Sequence, residues 1–173
     1  MTRIEPQKRL AAAEMLAEAI GVDGLAGGQE RDLSRHGEAP AEGMQEIKQS
    51  HMEKTGALFV AAAGIGAVIA GARAVEIEAM KEYGAALGLA YQTFDDVIDA
   101  ECDASEIGKD AGKDKARTTV VTLMGAGKAN LSASHWIREA ISIANRIECG
   151  AGSPLAAFAR TIEMKFKMLL KNA

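Results

Sequence analysis

The chain has 173 residues, a length that fits one domain. Its formal net charge of −4 lacks the basic surplus of a general nucleic-acid binder, so no nucleic-acid partner is expected. Hydrophobic residues make up 48%, which excludes a disordered chain, while aromatics reach only 4%; the abundant Ala and Gly suit helices packed closely together.

The N-terminus, "MTRIEPQKRLAAAEML", has no continuous apolar core followed by a cleavage site, so the reading is a cytoplasmic protein without a signal peptide. Pro6 suits a helix start. Leu10, Met15, Leu16 and Ile20 give an irregular apolar face, and Gly21 can end the helix. "GVDGLAGGQERDL" (21–33) then carries Gly21, Gly24, Gly27 and Gly28 before turning polar, and 34–43 is a loop by composition. Met44, Ile47, His51 and Met52 recur at helical spacing, so a helix resumes near 41 and runs toward Lys54.

"ALFVAAAGIGAVIAGA" (57–72) is too short for a membrane span of ~20 residues and is expected to be a buried helix. Gly64, Gly66 and Gly71 inside it each cost ~1 kcal/mol relative to Ala. They make sense where another helix or a ligand approaches the backbone. Residues 74–100 form a long helical segment with apolar positions Val75, Ile77, Met80, Leu87, Leu89, Tyr91, Phe94 and Ile98. A charged loop covers 101–119, and helices follow over 119–124, 126–148 and 154–171. With no sustained period-2 run, the expected fold class is all-α. Cys102 and Cys149 lie far apart with no CxxC, which argues against a disulfide scaffold or a zinc site.

The chemistry gathers at "YQTFDDVIDAECD" (91–103). On a helix Asp95 and Asp99 are one turn apart on one face, and Asp96 lies about 100° around from Asp95. Oxygens so placed suit a hard cation such as Mg²⁺, shared between carboxylates and substrate phosphates. The plain alternative is a solvated acidic patch at a helix end. The following "GKDAGKDKAR" supplies Lys109, Lys113, Lys115 and Arg117, as a metal–diphosphate site requires, or else a loop whose charges merely balance. "GAGKAN" (125–130) is not a P-loop, because no Ser or Thr follows the Lys. Lys54 and Thr55 stand where a polar helix meets an apolar one; a Lys there snorkels or points its ammonium into a cleft. Gln29 and Gln92 are polar residues within apolar segments, either core amides or site groups. His36, His51 and His135 are dispersed and show no metal spacing.

Together these elements resemble the trans-isoprenyl diphosphate synthases, the polyprenyl synthetase family, with the nearest look to the bacterial geranylgeranyl and farnesyl diphosphate synthases. Four segments match in order: "GLAGGQERDL", "HMEKTGALFVAAAGIGAVIAGA", "LGLAYQTFDDVIDAECD" and "GKDAGKDKARTTVVTLMG". The resemblance implies an all-α bundle of the isoprenoid synthase type around a deep cavity. It implies condensation of isopentenyl diphosphate with an allylic diphosphate, in which the allylic diphosphate ionises and a proton is lost. Asp95, Asp96 and Asp99 match the second aspartate-rich motif, which helps hold Mg²⁺ on the allylic diphosphate. Lys54 and Lys109 match lysines on that diphosphate, and Arg117 stands where the family usually has Lys, keeping the charge but not the geometry. Thr55 and Gln92 match oxygens facing the allylic cation, and Gln29 and Asp32 match the GGQxxDL element of the cavity wall.

The family's earlier aspartate-rich motif with its two arginines, and the basic site for isopentenyl diphosphate, have no counterpart before residue 95. Residues 1–173 therefore read as the C-terminal portion of a polyprenyl synthetase domain, with the N-terminal half of the bundle absent. Apolar faces left without their cover favour a homo-oligomer, the family usually forming homodimers, or a partner synthase subunit. The second reading is a catalytically incomplete half-domain that binds or regulates a full-length synthase.

Overall fold

A computed structural model describes residues 4–34, 43–101, 118–147 and 153–171, without the side chains of 32–34. Among them every regular element is helical, as the sequence predicts. Helix α1 (Pro6–Ile20) starts on Pro6 and stops at Gly21. α2 spans Leu25–Ser34. α3 (Met44–His51) passes without a break through a π-helical turn (Met52–Gly56) into α4 (Ala57–Ala70). α5 (Ala74–Glu101) is the central 28-residue helix. A short α6 (Val120–Met124) leads to α7 (Ala126–Ile147) and α8 (Pro154–Lys171).

The core lies where α5, α7 and α8 meet. Leu87, Ala90, Phe94 and Ile98 of α5 pack on Ala133, Ile137, Ala140, Ile143 and Ala144 of α7 and on Ala156, Ala159 and Phe166 of α8. Alanine at so many contact positions lets the helix axes approach. Bulk is concentrated in an aromatic ladder instead: Phe94 stacks on Phe166 with centroids 4.9 Å apart, and Phe166 meets Tyr91 edge-on at 5.2 Å. Tyr83 donates its hydroxyl hydrogen to Leu155 O across the α5–α8 joint (2.8 Å). Val75, counted among the apolar positions of α5, is 66% exposed in its first turn. A second, smaller cluster of Ile47, Val97, Val120 and Ala129 ties α3, α5, α6 and α7 together.

Three readings of the helices are refined. The glycine-rich 25–34 segment is helical, because its glycines serve close packing: a Cβ on Gly28 would lie 2.8 Å from Lys54 N. Gly71 caps α4 rather than sitting inside it, with its N–H on Val68 O (3.1 Å) and that of Ala72 on Ala67 O (3.0 Å). The apolar helix is not a separate element. Joined to α3 it makes one run, Met44–Ala70, long and apolar enough by length and composition to cross a membrane, with 22% of its apolar window buried. That run packs on α5 and on Met15 of α1, whose side chain lies over Gly64, whereas Gly66 faces open space. The predicted loops at 34–43 and 101–119 fall largely outside the described residues.

Candidate functional site

The site forms where the π turn crosses α5. Gly88 and Gly56 meet without side chains between them: a Cβ on Gly88 would lie 2.6 Å from Gly56 Cα. One turn beyond Gly88 stands Gln92, and next to Gly56 stands Thr55. The backbone contact therefore brings these two side chains together, and the Thr55 hydroxyl donates to Gln92 Oε1 at 2.7 Å. A π turn carries one residue more than an α turn, and such turns recur at functional sites. Lys54, half-buried, is part of the same turn. Its neighbour Glu53 is bound from two sides, by Arg31 Nη2 of α2 (2.5 Å) and by Gln49 Nε2 (2.7 Å), so α2 is pinned to the π turn.

Asp96 is approached from three helices. Its Oδ1 accepts from Gln92 Nε2 (3.4 Å). Its Oδ2 accepts from Val120 N–H at the start of α6 (3.3 Å) and faces His51 Nε2 at 3.3 Å. The His51 and Asp96 side chains are each only 10% exposed. Thr119 caps α6 reciprocally with Thr122, which fixes the Val120 N–H in that direction. Asp95 and Asp99 are half-buried and share one face of α5 at a spacing of four residues.

Of the predicted site residues, the fold thus brings Thr55, Gln92 and Asp96 into one hydrogen-bonded chain, with Lys54, Asp95 and Asp99 adjacent to it in sequence. Gln29 is exposed on α2. The side chain of Asp32, and Lys109 and Arg117 altogether, lie outside the described residues. His51, which has no metal spacing in the sequence, meets Asp96 in the fold. The signal available was its place one turn before Thr55. Arg31 and Glu53 gave no sequence signal at all.

The donor set was also read as three metal-binding carboxylates. Among the described residues no three His, Cys, Asp or Glu side chains converge as a metal set. Asp96 accepts from Gln92 and Val120 and faces His51, and Asp95 and Asp99 share a helix face as a two-carboxylate pair. Such a pair fits Mg²⁺, which needs only one or two carboxylates when substrate phosphates and water complete its six oxygens.

A single family model covers most of the chain: polyprenyl synthetase matches residues 1–148, and the chain belongs to that family. Geranylgeranyl pyrophosphate synthase 12, chloroplastic, of Arabidopsis thaliana is 35% identical over 162 residues, 92% of this chain and 45% of the relative. The apo structure of an FPP/GFPP synthase from Zymomonas mobilis superposes with a TM-score of 0.75 at 31% identity, over 92% of this chain and 52% of that one. A geranyltransferase from Helicobacter pylori, solved with magnesium and isoprenyl diphosphate, shares the fold with a TM-score of 0.75 at 24% identity, over 97% of this chain and 52% of its own. The chain spans about half the length of the relatives it matches.

Proposed function

We propose that this chain carries the allylic-diphosphate part of a prenyltransferase centre, an isoprenyl diphosphate synthase that joins isopentenyl diphosphate to an allylic diphosphate. The observation that carries the reading is the Thr55–Gln92 pair, held at 2.7 Å with Gln92 one turn before Asp95 and Asp96 and two before Asp99 on α5. Neutral oxygen dipoles beside a run of carboxylates suit a reaction in which an allylic C–O bond breaks between a cation and a leaving diphosphate. The double bond of isopentenyl diphosphate then forms the new C–C bond, and a proton leaves.

In this reading Asp95 and Asp99 hold Mg²⁺, and Asp96 supports them from behind. Bound there, Mg²⁺ would supply positive charge to the departing diphosphate. Lys54 faces that diphosphate, with Lys109 and Arg117 completing the charge from the following segment. Thr55 and Gln92 direct oxygens at the developing cation, and the Gly/Ala-rich face of α4 leaves room for the apolar tail while excluding water. Gln29 and Asp32 belong to the wall on α2. The protein is read as cytoplasmic, without a membrane span and acting as an oligomer.

A second reading has a specific observation behind it. Leu10, Leu16 and Ile20 of α1 and Leu58 and Ile69 of α4 are exposed. A chain with such faces would act as a subunit that completes, or regulates, a synthase. Titration calorimetry with pyrophosphate, with and without Mg²⁺, tests the first reading. Mg²⁺-dependent binding abolished by Asp95→Asn supports it, and product formation from allylic and isopentenyl diphosphates completes the test. A folded chain that binds no pyrophosphate would sink it and leave the subunit reading.

A further inference from the structure

The geometry points to His51 as a positioning residue that, through Asp96, sets the direction of the Thr55–Gln92 pair and keeps Asp96 apart from Asp95 and Asp99; its catalytic relevance rests on the prenyltransferase reading above. A carboxylate accepts hydrogen bonds and has no hydrogen to give. The Gln92 atom 3.4 Å from Asp96 Oδ1 is therefore the NH2, which leaves Oε1 for Thr55. Thr55 then donates to it and keeps both lone pairs of its own oxygen for the other side. Polarity thus runs one way, from Thr55 to Gln92 to Asp96.

The chain of bonds has an anchor. Asp96 Oδ2 accepts from the Val120 backbone N–H and lies in ion-pair contact with the His51 ring, both at 3.3 Å. A bare ring nitrogen facing a carboxylate would repel it, so Nε2 carries the hydrogen. With only 10% of either side chain exposed, water does not substitute for the imidazole. Remove the ring, and the carboxylate keeps the Val120 and Gln92 donors but loses the side contact that fixes its rotation. Gln92 then loses the acceptor that distinguishes its two ends, and both orientations of its amide become accessible. His51 touches no reacting atom in this scheme. It makes the oxygens of Gln92 and Thr55 point the same way in every molecule.

The test compares the wild-type chain with His51→Leu and His51→Gln by proton–nitrogen NMR, followed by titration with Mg²⁺ and pyrophosphate. Glutamine can return an N–H to the position of Nε2, so it separates loss of the donor from loss of the fold. In the wild type the two Gln92 side-chain amide protons are dispersed and slow to exchange. In His51→Leu they collapse toward averaged positions and exchange about tenfold faster, the scale of one charge-assisted bond, and His51→Gln restores them. Pyrophosphate affinity in Mg²⁺ falls less in His51→Leu than in Asp95→Asn, where it drops more than about tenfold. An unchanged Gln92 signal in His51→Leu, or no restoration in a folded His51→Gln chain, overturns the assignment. So does a loss of Mg²⁺-dependent affinity in His51→Leu as large as in Asp95→Asn, which would put His51 and Asp96 in the diphosphate set itself. A wild-type chain that binds no pyrophosphate defeats the functional reading alone, and the Gln92 signals still decide the role of His51.

Discussion

Replacing Gly88 with alanine puts a methyl carbon 2.6 Å from Gly56 Cα, 3.4 Å from Gly56 N and 3.5 Å from Phe59 Cβ. Unstrained carbon contacts lie at about 3.5–4.0 Å, so the two backbones must part by roughly 1 Å. α5 cannot yield, because its other faces are locked into α7 and α8; the π turn has to move. Overpacking of this kind costs about 1–3 kcal/mol. Alanine returns about 1 kcal/mol of helix propensity, so the net loss is on the order of 1 kcal/mol. For a chain of this size that lowers the melting temperature by roughly 2–4 °C. The same shift of roughly 1 Å lengthens the Thr55–Gln92 bond, now 2.7 Å, past hydrogen-bonding range. Gly66→Ala is the control: nothing lies within 4 Å of its added carbon, so it keeps the propensity gain and stabilises by about 1 kcal/mol. Urea melts followed by circular dichroism should move in opposite directions for the two variants, with Mg²⁺-dependent pyrophosphate binding weakened only in Gly88→Ala. If both glycines respond with the same sign, the account of the π turn pressed on α5 is wrong.

Phe94 is fully buried and stacked on Phe166, so Phe94→Ala should cost about 3–5 kcal/mol and show as a large drop in the urea midpoint. Thr119→Ala removes one side of the α6 capping box; it should lose about 0.5–2 kcal/mol and speed hydrogen exchange at Val120, whose N–H holds Asp96. Burial pushes the Glu163 carboxyl up, but hydrogen bonds from Lys167 (2.6 Å) and Ser134 outweigh it and leave the group below its ordinary value. A carboxyl lowered by folding stabilises above its unfolded-state value and loses that contribution as pH falls through the folded-state value. Glu163→Gln should therefore flatten the acid side of the stability profile, measured by melts across pH 3 to 7 at about half-unit steps.

Much of the fold was legible because punctuation and periodicity agree. Pro6 and Gly21 bracket α1, Gly125 separates α6 from α7, and Pro154 opens α8. The glycine-rich 25–34 stretch was harder to read, since glycine disfavours helix locally and only the backbone of Lys54 explains why Gly28 is needed. Nothing in a single sequence announces a π turn; "MEKTG" has ordinary helical composition, and the turn lies where Gly56 meets Gly88. The motif residues Thr55, Gln92 and Asp96 were recognisable by resemblance, yet their bonding was not. His51 shows why. Judged by metal spacing it has no partners in sequence, and its partner lies 45 positions away on another helix.

The three carboxylates of α5 pose an electrostatic problem that helix geometry partly solves. Unit charges about 4 Å apart repel by ~1 kcal/mol in water and ~4 kcal/mol near a protein surface. A rotation of about 100° per residue separates Asp96 from Asp95, while Asp99, three residues on, stays within about 60° of it. On the Asp96 side the cluster of Ile47, Val97 and Val120 brings α3 and α6 close enough to present an imidazole and a backbone N–H. Asp96 is thus met by groups from α3 and α6, while Asp95 and Asp99 stand four residues apart beside it. Two roles follow from one sequence run, and they predict different substitution patterns. Asparagine at 95 removes charge from a cation site. Asparagine at 96 introduces an N–H2 beside Gln92, which must then reverse its amide and turn an oxygen away from Thr55.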